Sequence, residues 1–298
     1  MSQFSLLLEL IRRASTRLPR DVVASLAACH GREEPGSRAA KILESVRENI
    51  ALAANAQTPI CQDTGALSFF FKYPTSNSVG CPMPDVGCWQ TAAWQATRLA
   101  TKEGLLRKNT IDTLTGASID DNVAHDTPAC YFEPSDGDAL EIWLLQKGGG
   151  SENVSSQYSL PDESLNASRD LAGVRTCVLD AVWRIQGQGC APGIIGLCVG
   201  GDRASGYLCA KKQLLRSLDD VSPEPRLAAF EQQLLNDVNR LGIGPMGLGG
   251  VSTLLGVKAA ALPRLPASYF VSIAYMCWAS RRCGARVAAD GSVAWLEL

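Results

Sequence analysis

Apolar residues recur every three or four positions in two stretches near the start of the chain, a spacing that predicts amphipathic helices. The first helix is expected over residues 4–18 and the second over residues 38–54. The second should end ahead of Pro59, because the residue before a proline is pushed out of helical backbone. The first stretch carries Glu9 and two arginines and has no small-residue cleavage site, so it is interpreted as a helix and not as a signal peptide. We therefore expect a cytoplasmic protein.

Later stretches mix helical and strand-like patterns without the regular βαβ order of a doubly wound sheet. Further helices are predicted at residues 86–103, 169–187, 203–216 and 224–241. Strands are predicted at residues 67–73, 129–133, 139–146, 193–199 and 293–297. Residues 147–168 are expected to form a loop, because they are too polar to pack. This mixture of helices and small sheets predicts an α+β fold, with a single domain over residues 1–298.

Composition and charge narrow the class of protein. Hydrophobic residues make up 46% and charged residues 19% of the 298, which is typical of a globular protein with a substantial core. No apolar run approaches the roughly 18–20 residues of a membrane helix. The net charge is −2, and Lys and Arg are not clustered, so a nucleic-acid partner is not expected.

Cysteine is abundant in the chain and histidine is scarce: there are eleven cysteines but only two histidines. No CxxC pair occurs, which argues against a zinc ribbon or a ferredoxin-type loop. Three cysteines have a distinctive setting beside glycine, proline or an arginine pair, and are candidates for a metal site: Cys61, Cys190 and Cys277. The others are interpreted as small buried hydrophobic residues: Cys29, Cys81, Cys88, Cys130, Cys177, Cys198, Cys209 and Cys283. Spacing alone does not decide between a three-cysteine site and ordinary core residues.

One glycine motif has a formal match to a nucleotide-binding pattern. Residues 242–247, GIGPMG, fit G-x-G-x-x-G but follow a predicted helix where the dinucleotide fingerprint follows a strand. No acidic residue stands about 20 positions further on, where the fingerprint requires one. The segment is therefore interpreted as a helix C-cap followed by a tight loop.

Five segments in order resemble one family of enzymes. They are PICQDTG (59–65), KGGGSEN (147–153), CAPGIIG through AKKQLLR (190–216), NRLGIGPMGLGG (239–250) and CWASRR (277–282). Their order and spacing resemble the class I fumarase and L(+)-tartrate dehydratase family of iron–sulfur hydro-lyases, specifically its N-terminal domain or α subunit. The resemblance runs from about residue 5 to residue 295, and it implies that the predicted domain is catalytic.

The resemblance implies a cofactor and a set of site residues. In that family three cysteines hold a 4Fe–4S cluster with one open iron, and the matching positions are Cys61, Cys190 and Cys277. An iron without a protein ligand is a Lewis acid for the hydroxyl and carboxylate of a 2-hydroxy acid. The resemblance further assigns Gln62 and Asp63 to catalysis beside the cluster.

Two substrate-binding positions follow from the same resemblance. Arg107 matches an arginine that binds a substrate carboxylate, a task suited to its planar fork, and Gly150 matches a glycine whose backbone lines the pocket. Each assignment has a structural alternative. Asp63 is equally placed for an Asx-turn before Gly65, Arg107 for a solvated helix end, and Gly150 for a flexible loop. Arg281 and Arg282 fit pairing with acidic groups or a partner subunit and are given no catalytic role.

Three departures from the family pattern bear on the substrate. Leu265 stands where relatives commonly carry a histidine, and Val251 stands where many have lysine or asparagine. Residues 120–128 are a stretched version of a shorter family motif and include His125. These changes bear on which substrate is bound more than on the cluster.

The function implied is that of a hydro-lyase α subunit acting on a small dicarboxylic acid of the fumarate/malate or tartrate type. In the family a β subunit or C-terminal domain supplies the proposed base and further carboxylate-binding groups, so a β subunit is the expected partner and this chain is expected to hold half of the active site. Two alternatives stay open. In the first, the same cluster fold serves a specialised biosynthetic acid. In the second, the chain is a non-catalytic iron–sulfur or redox-sensing subunit.

Overall fold

The structure is a computed structural model that describes residues 1–75 and 85–296. Cys81 and residue 297 of the predicted terminal strand lie outside the described residues. The chain divides into two compact units. Unit 1 comprises Met1–Arg20, Asn49–Gly148 and Arg281–Leu298, and unit 2 comprises Asp21–Glu48 and Gly149–Ser280. That residues 1–298 act as one catalytic domain stays a prediction.

The elements alternate irregularly along the chain, and the predicted α+β class is confirmed. The helices are α1 Gln3–Thr16, α2 Arg20–Arg32, α3 Arg38–Ala56, α4 Val86–Lys102, α5 Gly149–Asn153, α6 Leu171–Ile185, α7 Arg203–Gln213 and α8 Pro225–Asn239. The strands are β1 Ala66–Pro74, β2 Thr110–Ile111, β3 Ser118–Ile119, β4 Ala129–Ser135, β5 Leu140–Lys147, β6 Ser156–Ser159, β7 Gly193–Gly200, β8 Leu254–Leu262, β9 Phe270–Met276, β10 Arg281–Val287 and β11 Val293–Leu296. None of the helices in the described part of the chain is both long and apolar enough to cross a membrane.

Unit 1 is built on a five-stranded sheet in the order β11-β10-β5-β1-β4. Strands β1 and β4 run parallel, and the remaining neighbours run antiparallel. Helix α1 buries its apolar stripe, including Leu7, Leu10 and Ile11, with α4 and the sheet. Phe69 and Phe71 of β1 point to that same side, because alternate residues of a strand share a face. This packing gives unit 1 its own hydrophobic core.

Unit 2 is built on a four-stranded sheet in the order β6-β9-β7-β8, in which only β7 and β8 are parallel. Ile195 and Leu197 of β7 face a core formed with helices α6 and α8. Gly196 between them faces the opposite way, where helix α7 lies so close that a Cβ at Gly196 would be 2.1 Å from the Ala210 carbonyl oxygen. The sheet is thus covered by helices on both faces.

The prediction of a loop over residues 147–168 is wrong, because this segment contains helix α5 and strand β6. Its polar side chains find partners in the fold: Gln157 Nε2 donates to the Arg203 carbonyl oxygen at 2.8 Å and to Ser272 Oγ at 2.9 Å. Strand β6 pairs with β9, a partner more than a hundred residues away. Helix α2, the β2–β3 hairpin and strands β8, β9 and β10 were not predicted.

Candidate functional site

Two of the three singled-out cysteines come together at the ends of the two central strands of the unit 2 sheet. Strands β7 and β9 are antiparallel, with Ile194 opposite Met276, so the start of β7 lies beside the end of β9. Cys190 precedes β7 and Cys277 follows β9 directly. The Trp278 N–H donates to the Cys190 carbonyl oxygen at 3.3 Å. The topology therefore explains why residues 87 positions apart in the sequence are neighbours.

The turn that carries Cys190 is held by a second glycine-rich turn. Cys190 has a φ of +52° and is exposed, and its N–H donates to the Gly187 carbonyl oxygen at 3.1 Å. Ala191 accepts a hydrogen bond from the Met246 N–H at 2.9 Å. A Cβ at Gly187 would lie 2.4 Å from the Met246 carbonyl oxygen. Only glycine permits this approach of two backbones. The GIGPMG motif is therefore a helix C-terminal loop, as predicted, and it supports the cysteine turn.

A buried tyrosine lies beneath the two thiols. Tyr275 is 1% exposed, and a Cβ at Gly193 would be 2.2 Å from its hydroxyl oxygen. Burial raises the pKa of Tyr275 above its usual range, and the nearby charges of Cys277 and Cys190 raise it further. Tyr275 is therefore a neutral phenol, and both thiols are its electrostatic neighbours.

Helix α5, from the KGGGSEN motif, is fastened to the end of β9. Ser151 Oγ accepts a hydrogen bond from the Cys277 N–H at 3.2 Å. Ser155 Oγ accepts from the Tyr275 N–H at 3.0 Å and donates to the Ser151 carbonyl oxygen at 2.8 Å. Gly150 is an exposed residue of α5, and a Cβ there would meet no atom within 4 Å. Gly150 therefore lies in a single turn of helix and not in the flexible loop of the structural alternative.

Glu152, next to Ser151, links this motif to helix α7. The Tyr207 hydroxyl donates to Glu152 Oε2 at 2.7 Å, and Lys211 Nζ lies 2.8 Å from Glu152 Oε1. Burial raises the pKa of Tyr207. Sequence reasoning missed Ser151, Glu152 and Tyr207, although all three lie within segments that carry the family resemblance.

The third cysteine belongs to a turn of unit 1. Ile60, before Cys61, donates to the Ser15 carbonyl oxygen at 3.0 Å and accepts from Asn49 Nδ2 at 2.9 Å. Cys61 itself is half-buried and Gln62 is exposed. Asp63 Oδ1 accepts from the Gly65 N–H at 3.1 Å, so the Asx-turn alternative describes the local backbone. The catalytic assignment of Gln62 and Asp63 stays a prediction.

Two buried basic residues adjoin the Asp63 turn, Arg281 through its side chain and Lys147 through its backbone. Lys147 at the end of β5 and Arg281 at the start of β10 are each 1% exposed. Arg281 Nη1 donates to the Asp63 carbonyl oxygen at 2.6 Å. A Cβ at Gly65 would lie 2.8 Å from the Lys147 carbonyl group. Sequence reasoning missed Lys147. It interpreted Arg281 as pairing with acidic groups or a partner subunit, and the structure shows that its Nη1 donates to a backbone carbonyl oxygen.

Arg107 is fixed through its backbone and not through its side chain. Its N–H donates to Thr64 Oγ1 at 3.0 Å, and its carbonyl oxygen accepts from Asn122 Nδ2 at 2.8 Å. Asn122 is 3% exposed and is a further residue that sequence reasoning missed. The side chain of Arg107 is exposed. Hydrogen bonds on both sides of the residue tie its position to the Asp63 turn.

The departures from the family pattern are surface residues. Leu265 is 74% exposed and Val251 is 53% exposed. The His125 side chain is 93% exposed and its Nδ1 lies 2.9 Å from Asp126 Oδ2. Cys88, interpreted from the sequence as a buried hydrophobic residue, is also exposed, because it lies in the first turn of α4.

The donor set of the three cysteines suits an iron–sulfur cluster. All cysteines in the described part of the chain are free thiols. Cys190 is exposed and Cys61 and Cys277 are half-buried, so each thiol is reachable. Among the described residues, no three His, Cys, Asp or Glu side chains are grouped to hold a metal ion. Cysteine thiolates are the usual protein ligands of an iron–sulfur cluster, although they also bind single ions such as zinc. The residues present therefore fit the group that the resemblance implies.

The known proteins that are similar to this chain have the names of hydratases and dehydratases, which are enzymes of the hydro-lyase class. A family model described as fumarate hydratase (fumerase) matches residues 5–286. The chain belongs to the class I fumarate hydratase family, which includes L(+)-tartrate dehydratase α subunits. The predicted family and its hydro-lyase class are confirmed.

Three relatives show how much of the family architecture this chain covers. A protein of Geobacillus stearothermophilus with the provisional name fumarate hydratase class I is 45% identical over 94% of this chain and 54% of its own length. One of Methanocaldococcus jannaschii, provisionally named L(+)-tartrate dehydratase subunit α, is 32% identical over 96% and 97%. The L(+)-tartrate dehydratase α subunit of Escherichia coli K12 is 31% identical over 93% and 88%. The chain thus spans about half of the first relative and nearly all of the α subunits.

Proposed function

We propose that this chain is the α-type half of an iron–sulfur hydro-lyase that adds water to, or removes it from, a small dicarboxylic acid of the fumarate/malate or tartrate type. Cys61, Cys190 and Cys277 would hold a 4Fe–4S cluster with one open iron. Family membership and the reachable thiols support this assignment. The observation that carries it is the pairing of Cys190 with the Cys277–Trp278 segment at the ends of the central strands β7 and β9.

The bound cluster supplies Lewis acidity at the iron that has no protein ligand. This chain's residues provide orientation and charge. Asp63 uses Oδ1 for the Gly65 N–H, so Oδ2 is the atom we assign to orienting a water molecule or the substrate hydroxyl. Gln62 is exposed beside it and provides an amide for the same task.

Arg107 and Gly150 are the proposed substrate contacts. The exposed guanidinium of Arg107 has the planar geometry that binds a carboxylate through two hydrogen bonds. Gly150 leaves open space where a side chain would stand. Lys147 and Arg281 are assigned a positioning role, since Arg281 holds the Asp63 carbonyl and both side chains are buried.

A β subunit is the proposed partner. The chain matches α subunits over nearly their whole length, and the name α subunit implies a second chain in those relatives. In the fumarate hydratase of G. stearothermophilus, 46% of the length has no counterpart here. We assign to the β subunit the base and the remaining carboxylate-binding groups.

The test is electron paramagnetic resonance of anaerobically purified chain after brief mild oxidation. The expected result is a 3Fe–4S signal, because an iron without a cysteine ligand is the first to leave. Cys190→Ser and Cys277→Ser should abolish the signal, and Cys61→Ser should do the same. The matched control is Cys88→Ser, which changes an exposed thiol outside the proposed set and should leave the signal unchanged.

Two results would contradict the proposal. If the protein contains no iron after anaerobic reconstitution although all its thiols are intact, it does not bind the proposed cluster. A signal that survives Cys190→Ser and Cys277→Ser would place the cluster elsewhere. Turnover by the chain with its β partner distinguishes the alternatives. If the substrate is a specialised acid, fumarate and tartrate should be poor substrates. If the chain is a redox-sensing subunit, Arg107→Gln should leave its redox response unchanged.

A further inference from the structure

A pair of hydrogen-bonded thiols lies in unit 2, between strand β7 and helix α7. The thiols are Cys198 of β7 and Cys209 of α7, whose side chains share a hydrogen bond. Both are free thiols, with Cys198 buried and Cys209 half-buried. The sequence predicted both to be small buried hydrophobic residues, and the proposed function uses neither. Two thiols in contact have a chemistry that a single cysteine lacks, because oxidation can join them as a disulfide.

Glycine brings the backbones of the strand and the helix into contact beside this pair. Gly196 and Cys198 lie on the same face of β7, because alternate residues of a strand share a face. A Cβ at Gly196 would be 2.1 Å from the carbonyl oxygen of Ala210, the residue after Cys209. Since only glycine permits such an approach, the helix lies closer to the strand than it could beside a larger residue.

A second contact holds the helix on the other side of the pair. Ser272 of β9 lies directly opposite Cys198 in the antiparallel β7–β9 pair, so both side chains project from the same face of the sheet. Gly206 precedes Cys209 by about one helical turn, and a Cβ at Gly206 would be 2.9 Å from Ser272 Oγ. The helix is therefore held against the sheet both before and after Cys209. A disulfide requires Cα atoms within about 7 Å of each other, and this close packing is what favours one here.

The two thiols differ in reactivity. The hydrogen bond from the Cys198 thiol lowers the pKa of Cys209 by more than burial raises it, and a hydrogen bond from Gln213 lowers it further. The same thiol–thiol hydrogen bond, together with burial, raises the pKa of Cys198. Thiolate is the form that reacts with peroxides. The half-buried Cys209 is therefore the better nucleophile of the two.

We propose that Cys198 and Cys209 are a modification site at which hydrogen peroxide forms a reversible disulfide between β7 and α7. The Cys209 thiolate attacks a peroxide oxygen and the O–O bond breaks, which leaves a sulfenic acid on Cys209 and a hydroxide that takes up the proton Cys209 had released. The Cys198 thiol then attacks the sulfenic sulfur. The S–O bond breaks as the S–S bond forms, and the hydroxyl leaves as a second water with the Cys198 proton. The bond joins α7, which holds Glu152 through Tyr207 and Lys211, covalently to the sheet.

The test is peptide mapping of the full chain, purified anaerobically and then treated with an equimolar amount of hydrogen peroxide. The remaining thiols are blocked with iodoacetamide before digestion with trypsin under non-reducing conditions. Trypsin cleaves after Arg203, so the expected disulfide joins residues 185–203 to residues 204–211, and dithiothreitol should separate the two peptides. The first peptide also contains Cys190. Cys190→Ser should therefore keep the cross-link, which assigns the bond to Cys198 and separates it from the proposed cluster ligands.

Dimedone, which traps sulfenic acids, tests the order of the two steps. In Cys198→Ala the sulfenic acid has no thiol to resolve it, so dimedone should label Cys209 and the cross-link should be lost. In Cys209→Ala neither the cross-link nor a label on Cys198 should form. The matched control Cys177→Ala changes a buried cysteine in the core on the other face of the same sheet, and it should form the cross-link as the unaltered chain does.

Three results would overturn the proposal. The first is that peroxide produces no cross-link between these two peptides in the unaltered chain, and the second is that Cys190→Ser loses the cross-link. The third is a dimedone label on Cys198 in Cys209→Ala with none on Cys209 in Cys198→Ala. The unaltered chain and Cys190→Ser decide the first two points whether or not the alanine variants fold.

Discussion

At the scale of the single residue, Asp63 combines a structural and a proposed chemical role on one side chain. Its Oδ1 closes an Asx-turn, its backbone carbonyl accepts from Arg281, and its Oδ2 faces Gly148. The turn and the catalytic assignment are therefore compatible, since each uses a different part of the residue. What distinguishes them is the negative charge, which only the chemical role requires.

Asp63→Asn tests this separation. Asparagine keeps an oxygen that accepts from the Gly65 N–H, so the turn and the melting temperature should be preserved. Turnover of the chain with its β partner should fall by about 10- to 150-fold, because a hydrogen bond to a charged group contributes about 1.5–3 kcal/mol and each 1.36 kcal/mol is a factor of ten in rate. The control is Asp126→Asn, an exposed carboxylate beside His125, which should be silent. Unchanged turnover with an unchanged melting temperature would show that Asp63 serves the turn alone.

Sequence reasoning singled out three candidate cysteines but did not anticipate the buried charges. Cys61, Cys190 and Cys277 stand in motifs whose residue types carry information by themselves. Lys147 and Arg281 do not, because a charged residue is normally expected at the surface. Their burial depends on partners such as the Asp63 carbonyl, which the fold supplies from more than two hundred positions away.

At the scale of the element, the spacing of apolar residues and the residue preferences for helix or strand predicted the helices that have an apolar stripe and the strands that have an apolar run. Helices α1, α3 and α6 and strands β1, β5 and β7 lie within a few residues of their predicted bounds. Strand β10 was missed because it begins with two arginines, which do not produce an alternating pattern. The segment 147–168 was misassigned because its pairing and hydrogen bonds are tertiary, and polar composition alone does not show them.

Two of the three glycines of the KGGGSEN motif, Gly148 and Gly150, predict opposite outcomes for substitution by alanine. Gly148→Ala would bring a Cβ to 2.7 Å from Asp63 Oδ2, so it should cost about 1–3 kcal/mol and displace the Asp63 carboxylate. Gly150→Ala meets open space inside α5 and should be neutral or stabilise by up to about 1 kcal/mol. Urea unfolding of both variants checks this.

The pair also tests the substrate assignment of Gly150. Should Gly150→Ala unfold normally yet lose turnover, the open space is needed by the substrate. Equal destabilisation by the two alanines would contradict the local geometry of helix α5 described above.

At the scale of the whole molecule, the cysteines fall into reactive and protected sets. Burial raises the pKa of Cys283 to about 11 and the pKa values of Cys130 and Cys177 to about 12. A raised pKa means less thiolate at a given pH, and thiolate is the form that reacts with an alkylating agent. Cys88 and Cys190 are exposed.

Alkylation by iodoacetamide followed by mass spectrometry should reflect this division. At pH 8 the cluster-free chain should be modified at Cys190 and Cys88 well before Cys130, Cys177 and Cys283. As the pH is raised, Cys283 should be alkylated before Cys130, because the pKa of Cys283 is the lower of the two. Uniform labelling at pH 8 would contradict the burial of these thiols, and urea-unfolded chain provides the uniform reference.

The contact between the Cys190 turn and the Met246 turn has a consequence for engineering. Each turn depends on a glycine of the other, since a Cβ at Gly247 would lie 2.5 Å from the Gly187 Cα. The two turns are over fifty residues apart in the chain but form a single transplantable module. A chimera of two homologues whose crossover lies between the two turns takes one turn from each parent, so the turns need not fit each other. A chimera that exchanges both turns together keeps the backbone contact that supports the exposed Cys190 thiol.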